Sequence, residues 1–210
     1  MCILIYYASN DPSLFSKKTA EFIKKNKSGK FLVCHYIVEW DLPKWLKRQN
    51  ILVDEVAKKV KDFSYDLKSS KSWDSLYPRE KQKGEKLVLK ANLAQNKAEF
   101  IQRLLDSQKD VEIRIFHFIK QKAEKVIQLS EIDPNLRSEL LTFLDNNISN
   151  VSDANILASG IQEHNKKEVT LVTADKSHWT KENIQWAFNS KPQLVKTYPK
   201  MPEIKYVQDM

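Results

Sequence analysis

Short β-prone runs stand far apart along this chain. Residues 3–7 (ILIYY), 31–34 (FLVC) and 169–173 (VTLVT) are apolar, aromatic or β-branched, and stretches with helical spacing separate them. Strands so widely separated are not joined by tight hairpins, and crossover helices bring such strands together in parallel. The expected fold class is therefore α/β, a three-layer α/β/α sandwich with a mostly parallel central sheet and helices on both faces.

Around those runs the pattern predicts helices over 13–26, 36–48 (with Pro43 marking a break or a fresh start) and 51–63. Residues 64–79, SYDLKSSKSWDSLYPR, have no clear period and read as a loop. Two long amphipathic helices are expected over 80–108 and 111–128. Asp133-Pro134-Asn135 opens a further helix to Leu144, 146–152 is a loop, and Ser152 or Asp153 caps a helix reaching about His164. A turn over 174–178, a helix over 180–189 and a late strand over 204–207 complete the reading.

Composition narrows the function. With 210 residues, one domain carrying an insertion is expected rather than two full domains. Cys2 and Cys34 make no disulfide framework, which points to a reducing, cytoplasmic setting. No signal peptide or membrane-spanning apolar stretch is seen, so no membrane partner is expected. Zinc spacing, a P-loop and a dinucleotide-binding glycine pattern are all missing from the sequence, which holds only 3 Gly. Of the net charge of +8, residues 58–125 carry +7, with 17 Lys/Arg against 10 Asp/Glu. A basic lobe suits phosphate-bearing partners, although a solvated lysine-rich face gives the same count. Phe63, Tyr65, Trp73 and Tyr77 lie in that lobe, placed either to stack on bases or to pack a core.

In a parallel sheet, ligand sites gather outside the carboxyl ends of the strands. The expected topology directs Glu39, Asp153 and Asp175 to that edge, with Ala8 at the end of the first run facing them. Crowded carboxylates repel unless a cation binds, and hard oxygen donors favour Mg²⁺ or Mn²⁺. Two such ions can activate water and steady both oxygens of a phosphodiester displacement. Each acid also has a plainer reading: Asp153 as a first-turn carboxylate on a helix, Asp175 as a turn residue, Glu39 as a surface glutamate.

The segment SDANILASGIQEHNKKEVTLVTADKSHW, residues 152–179, resembles the PIN-domain family of metal-dependent nucleases. Its acid at a helix start, Ala/Ile-rich helix, strand and Thr-x-Asp turn are Asp153, Ile156-Leu157-Ala158 and Thr173-Ala174-Asp175 in this chain. Glu39 in CHYIVEWDL resembles the second acid of the family, with Asp41 as a substitute. The first strand of the family ordinarily ends in Asp followed by a small hydroxyl residue and Asn or Ser. Here Ser9 and Asn10 are in register, and Ala8 stands where the Asp belongs.

The resemblance covers residues 1–48 and 129–207. It implies a PIN-like core over 1–50 and 129–210, interrupted by a basic helical insertion over 51–128. It implies an endoribonuclease that hydrolyses RNA with Mg²⁺ or Mn²⁺ held by Glu39, Asp153 and Asp175. Ser9, Asn10 and Thr173 would orient water, ligands or the scissile phosphate. Lys81, Lys83, Lys86, Lys90 and Lys97 of the insertion would hold RNA or single-stranded DNA. With Ala8 in place, activity is expected to be weak or absent, whether by natural loss or by engineered inactivation. Alternatives are a non-catalytic RNA-binding or scaffold protein, or a toxin whose basic insertion grips an acidic antitoxin. The insertion also offers a surface for a homodimer or another acidic protein partner.

Overall fold

The computed structural model describes residues 2–9, 13–26, 31–145, 151–174 and 181–210. Along the chain these form α1 (Cys2–Ala8), α2 (Leu14–Lys25), β1 (Phe31–Cys34), a π-helical turn (Ile37–Asp41), α3 (Leu42–Lys61), α4 (Lys71–Asp74), α5 (Pro78–Leu93) and α6 (Lys97–Gln121). There follow β2 (Ala123–Ile127), α7 (Pro134–Asp145), α8 (Val151–Lys166), β3 (Thr170–Thr173), α9 (Lys181–Asn189), α10 (Pro192–Thr197) and β4 (Glu203–Tyr206). The chain divides into a larger unit, Met1–Asp41 with Ile115–Met210, and a smaller one, Leu42–Arg114.

The expected α/β sandwich with one central sheet is not what forms. Among the described residues the strands make two separate parallel pairs, β1 with β2 and β3 with β4. The main reason is the first run. ILIYY is helical, and a short apolar run does not by its period distinguish a buried helix from a strand. As a helix it places Leu4 and Ala8 one turn apart on one face, and both are buried. Tyr6 stacks on Phe15 with centroids 5.2 Å apart, and Tyr7 meets Phe118 at 5.3 Å. Helix α1 therefore buries its apolar content in side-chain packing and contributes no strand.

The two strand pairs have register. Leu32, Val33 and Cys34 face Lys125, Val126 and Ile127, while Thr170 to Thr173 face Glu203 to Tyr206. Residues 123–127 were expected to be helical; pairing with β1 overrides that local tendency. Around the pairs, the core of the larger unit includes Ile37, Phe118, Leu136, Leu157, Ile161 and Phe188. Gly160 of α8 lies so near β3 that an added Cβ would fall 2.5 Å from a Leu171 methyl.

In the smaller unit, Pro43 begins a helix rather than breaking one, since a first-turn residue needs no intrahelical N–H partner. Leu52, Val56 and Val60 recur every four residues on the buried face of α3. The expected loop over 64–79 is partly helical. Ser70 accepts the Trp73 backbone N–H at 3.4 Å, starting α4, and the Trp73 side chain enters the core with only 3% of its surface exposed. That indole lies on Gly84, where an added Cβ would sit 2.5 Å from Cη2 of Trp73 and 2.7 Å from Cδ1 of Leu52. The break between the two long helices falls at 94–96, not at 109–110. Asn96 Oδ1 accepts the Glu99 backbone N–H at 3.1 Å and starts α6 there.

Candidate functional site

The carboxylates of the larger unit are only partly assembled. Glu39 lies in the π-helical turn, with His35 Nδ1 3.1 Å from its carboxylate. Asp41 ends that turn and accepts a hydrogen bond from the Ser152 hydroxyl. This contact, across 111 residues of sequence, sets the turn against the start of α8. Asp153 occupies the first turn of α8, where the helix dipole favours a carboxylate. Asp41, the substitute acid, thus touches Ser152, the residue before Asp153. Burial, and then the nearby Asp41 charge, push the Tyr36 phenol up.

Ala8 is the last residue of α1 and its side chain is fully buried, with 0% exposure. Ser9 Oγ lies 3.1 Å from Ser16 Oγ and donates to the Tyr6 carbonyl at 3.4 Å. Thr173 closes β3, and Gln208 Nε2 donates to the Ala174 carbonyl at 3.0 Å. Asn10 and Asp175 lie outside the described residues. Among the described residues no group of three or more His, Cys, Asp or Glu side chains is placed to hold a metal ion. The described acids therefore do not make a complete ligand set for Mg²⁺ or Mn²⁺. A cavity of about 780 Å³ in the same unit is lined by Phe22, Phe31, Phe118 and Leu171 but by none of Glu39, Asp41 and Asp153.

The smaller unit is organised by charge. It holds 17 Lys/Arg against 11 Asp/Glu, a net of +6 of the chain's +8. On α5, Arg79, Lys83, Lys86 and Lys90 follow one another at steps of four, three and four residues, so they form one stripe, and all are exposed. Two of the five lysines expected to hold RNA lie off it. Lys81 is half-buried, with its ammonium 3.4 Å from Asp74, and Lys97 opens α6. Arg79 completes the stripe and escaped sequence reasoning, although its heptad-like spacing to Lys83, Lys86 and Lys90 was visible.

Two acids of this unit, Glu55 and Glu80, are drawn into hydrogen bonds, while Asp54, Asp62, Asp66, Asp74 and Glu85 are exposed. Glu80 accepts Arg48 Nε at 3.1 Å, Gln49 Nε2 at 3.2 Å and the Tyr77 backbone N–H at 3.0 Å. Gln49 in turn accepts Lys83 Nζ at 3.3 Å. The Arg48 guanidinium lies 4.4 Å from the Tyr77 ring centroid, a cation–π contact. Burial would raise the Glu55 carboxyl, but hydrogen bonds from Lys58 at 2.8 Å, Tyr65 at 2.7 Å and Ser70 hold it below its usual range. Of the four aromatics considered for base stacking, Trp73 is in the core and Tyr65 is committed to Glu55. Phe63 and Tyr77 are exposed, at 77% and 59%. Lys59 lies 5.0 Å from the Phe63 ring and donates to the Phe63 and Tyr65 carbonyls.

Among the described residues no helix is long and apolar enough to cross a membrane. Comparison with family models, with curated proteins and with solved structures returns no match.

Proposed function

We propose that this chain binds RNA through the basic face of α5. The observation that carries the reading is the stripe of Arg79, Lys83, Lys86 and Lys90 on one exposed helix face. Cations so aligned neutralise successive phosphates of a polyanion and release its counterions. The proposed setting is the cytoplasm, supported by the buried free thiol of Cys34. The test is fluorescence anisotropy with labelled dodecauridylate at a series of salt concentrations. Four phosphate contacts give a log–log salt slope of about −2.8, and Lys86→Ser with Lys90→Ser brings it to about −1.4. An unchanged affinity and slope in the double variant would leave the stripe as a solvated face.

A second reading is favoured by the Asp41–Ser152 contact, which joins two of the acidic segments of the nuclease motif. In it the larger unit is a divalent-metal ribonuclease disabled at Ala8. Cleavage of mixed RNA by Ala8→Asp, with and without Mn²⁺, tests this directly. Metal-dependent cleavage that disappears on adding Asp175→Asn supports it. A folded, Mn²⁺-loaded Ala8→Asp protein that cleaves no RNA or DNA removes it.

A further inference from the structure

We infer that Tyr77 is a preformed base-stacking platform at the head of the α5 stripe, so that the nucleic acid taken by this face is single-stranded. This rests on the RNA-binding reading and adds the form of the ligand. Three observations carry it.

Tyr77 directly precedes α5, two residues before the first cation of the stripe, and the residue is 59% exposed. The ring is also held from below. One carboxylate, Glu80, accepts both Arg48 Nε and the Tyr77 backbone N–H, so the guanidinium under the ring and the backbone that bears it are fixed together. The same carboxylate reaches the stripe through Gln49, which accepts Lys83 Nζ. Platform and stripe are therefore parts of one hydrogen-bonded assembly, ordered before any ligand arrives.

The geometry distinguishes ligand forms. A base in a duplex is stacked on its neighbours and offers no free face, whereas an unpaired base can lie on an aromatic ring and gain from the cation beneath it. Arg79 and Lys90 are separated by about 16 Å along the helix at 1.5 Å per residue, enough to track a short run of phosphates leading away from the stacked base. Phe63, the other exposed aromatic, has no comparable tie to the stripe: its lysine neighbour is spent on the Phe63 and Tyr65 carbonyls.

The experiment uses the full chain and two labelled probes, dodecauridylate and a dodecaadenylate–dodecauridylate duplex. Tyr77→Ala should weaken single-strand binding about tenfold, the loss of roughly one stacked base. It should leave duplex binding and the salt slope unchanged. Tyr77→Trp should retain single-strand affinity, and Tyr77→Leu, which keeps the bulk but has no π-face, should not. Thermal unfolding checks each variant, and the Leu and Trp variants decide the matter if the Ala variant is unfolded. Equal losses on both probes, or full affinity in Tyr77→Leu, would overturn the platform while leaving the stripe in place. If neither probe binds the unaltered chain, the RNA-binding reading itself fails.

Discussion

The two units handle charge differently. The larger one holds 18 Lys/Arg against 16 Asp/Glu, near balance, with pairs such as Lys125–Glu131, Lys166–Glu163 and Lys205–Glu203. In the smaller one the acids that do the most bonding are hidden. Glu55 is 1% exposed beneath Lys58 and Tyr65, and Glu80 is enclosed by Arg48, Gln49 and the Tyr77 backbone. A basic face is thus made chiefly by an excess of cations, and in addition by the withdrawal of two acids, Glu55 and Glu80, while most other acids of the unit stay exposed. The second leaves no trace in a residue count. Net charge indicates the sign of a partner; which face meets it depends on where the opposite charges are sequestered.

The contrast can be broken from either side. The largest effect is expected for Trp73→Ala, which empties the centre of the smaller unit. It should cost about 3–5 kcal/mol by denaturant unfolding and should take dodecauridylate binding with it. Binding that survives such a loss would mean that the stripe does not depend on the core beneath it.

Ala8→Asp comes next and probes the larger unit. Placing a carboxyl group where no surface is exposed should cost on the order of 2 kcal/mol or more in the presence of a chelator. Restoration of the melting temperature by Mn²⁺ would show that the new carboxylate shares a cation, since binding only to the folded state stabilises it. The same deficit with and without Mn²⁺ would make position 8 a packing position.

The smallest effect concerns pH. Tyr198 donates to Asp133 at 2.6 Å; burial first, then this bond, push its phenol from 10.0 to about 12. Stabilisation from a raised group is complete below pH 10 and is lost as pH rises through about 12. Asp133, held below its usual range chiefly by the same bond, contributes above its ordinary value and loses that contribution as pH falls through the lowered one. Urea titrations should therefore show the unaltered chain losing more stability than Tyr198→Phe between pH 10 and pH 12. Parallel curves would mean that the bond does not titrate with folding.

Much of the local structure was legible. Phe31–Cys34, the helix opened by Pro134 and the strand before Thr173 carry strong local signals and form where expected. ILIYY was not legible, because five consecutive apolar residues fit two geometries and tertiary packing chose between them. Trp73 lies in a Ser/Asp/Lys-rich stretch read as a loop, where stacking and core packing were both open; its burial depends on a glycine eleven residues later. The Asp41–Ser152 contact spans too much sequence to be read locally, and only the motif pointed to that neighbourhood. The basic stripe was half legible. The lysines were named, but selecting them by position rather than by helical phase included Lys81, which faces Asp74, and omitted Arg79.

Gly84 and Trp73 together act as an indexing pin for α5. A helix seated on a smooth apolar bed can roll about its axis, and moving its contact by one residue turns every side chain by about 100°. A roll of that size would swing Arg79, Lys83, Lys86 and Lys90 off the open side. The notch left by a missing side chain, filled by an indole, admits one angular setting. The direction in which the helix presents its cations is thus set on the opposite side of that helix, by the one residue there with no side chain to offer.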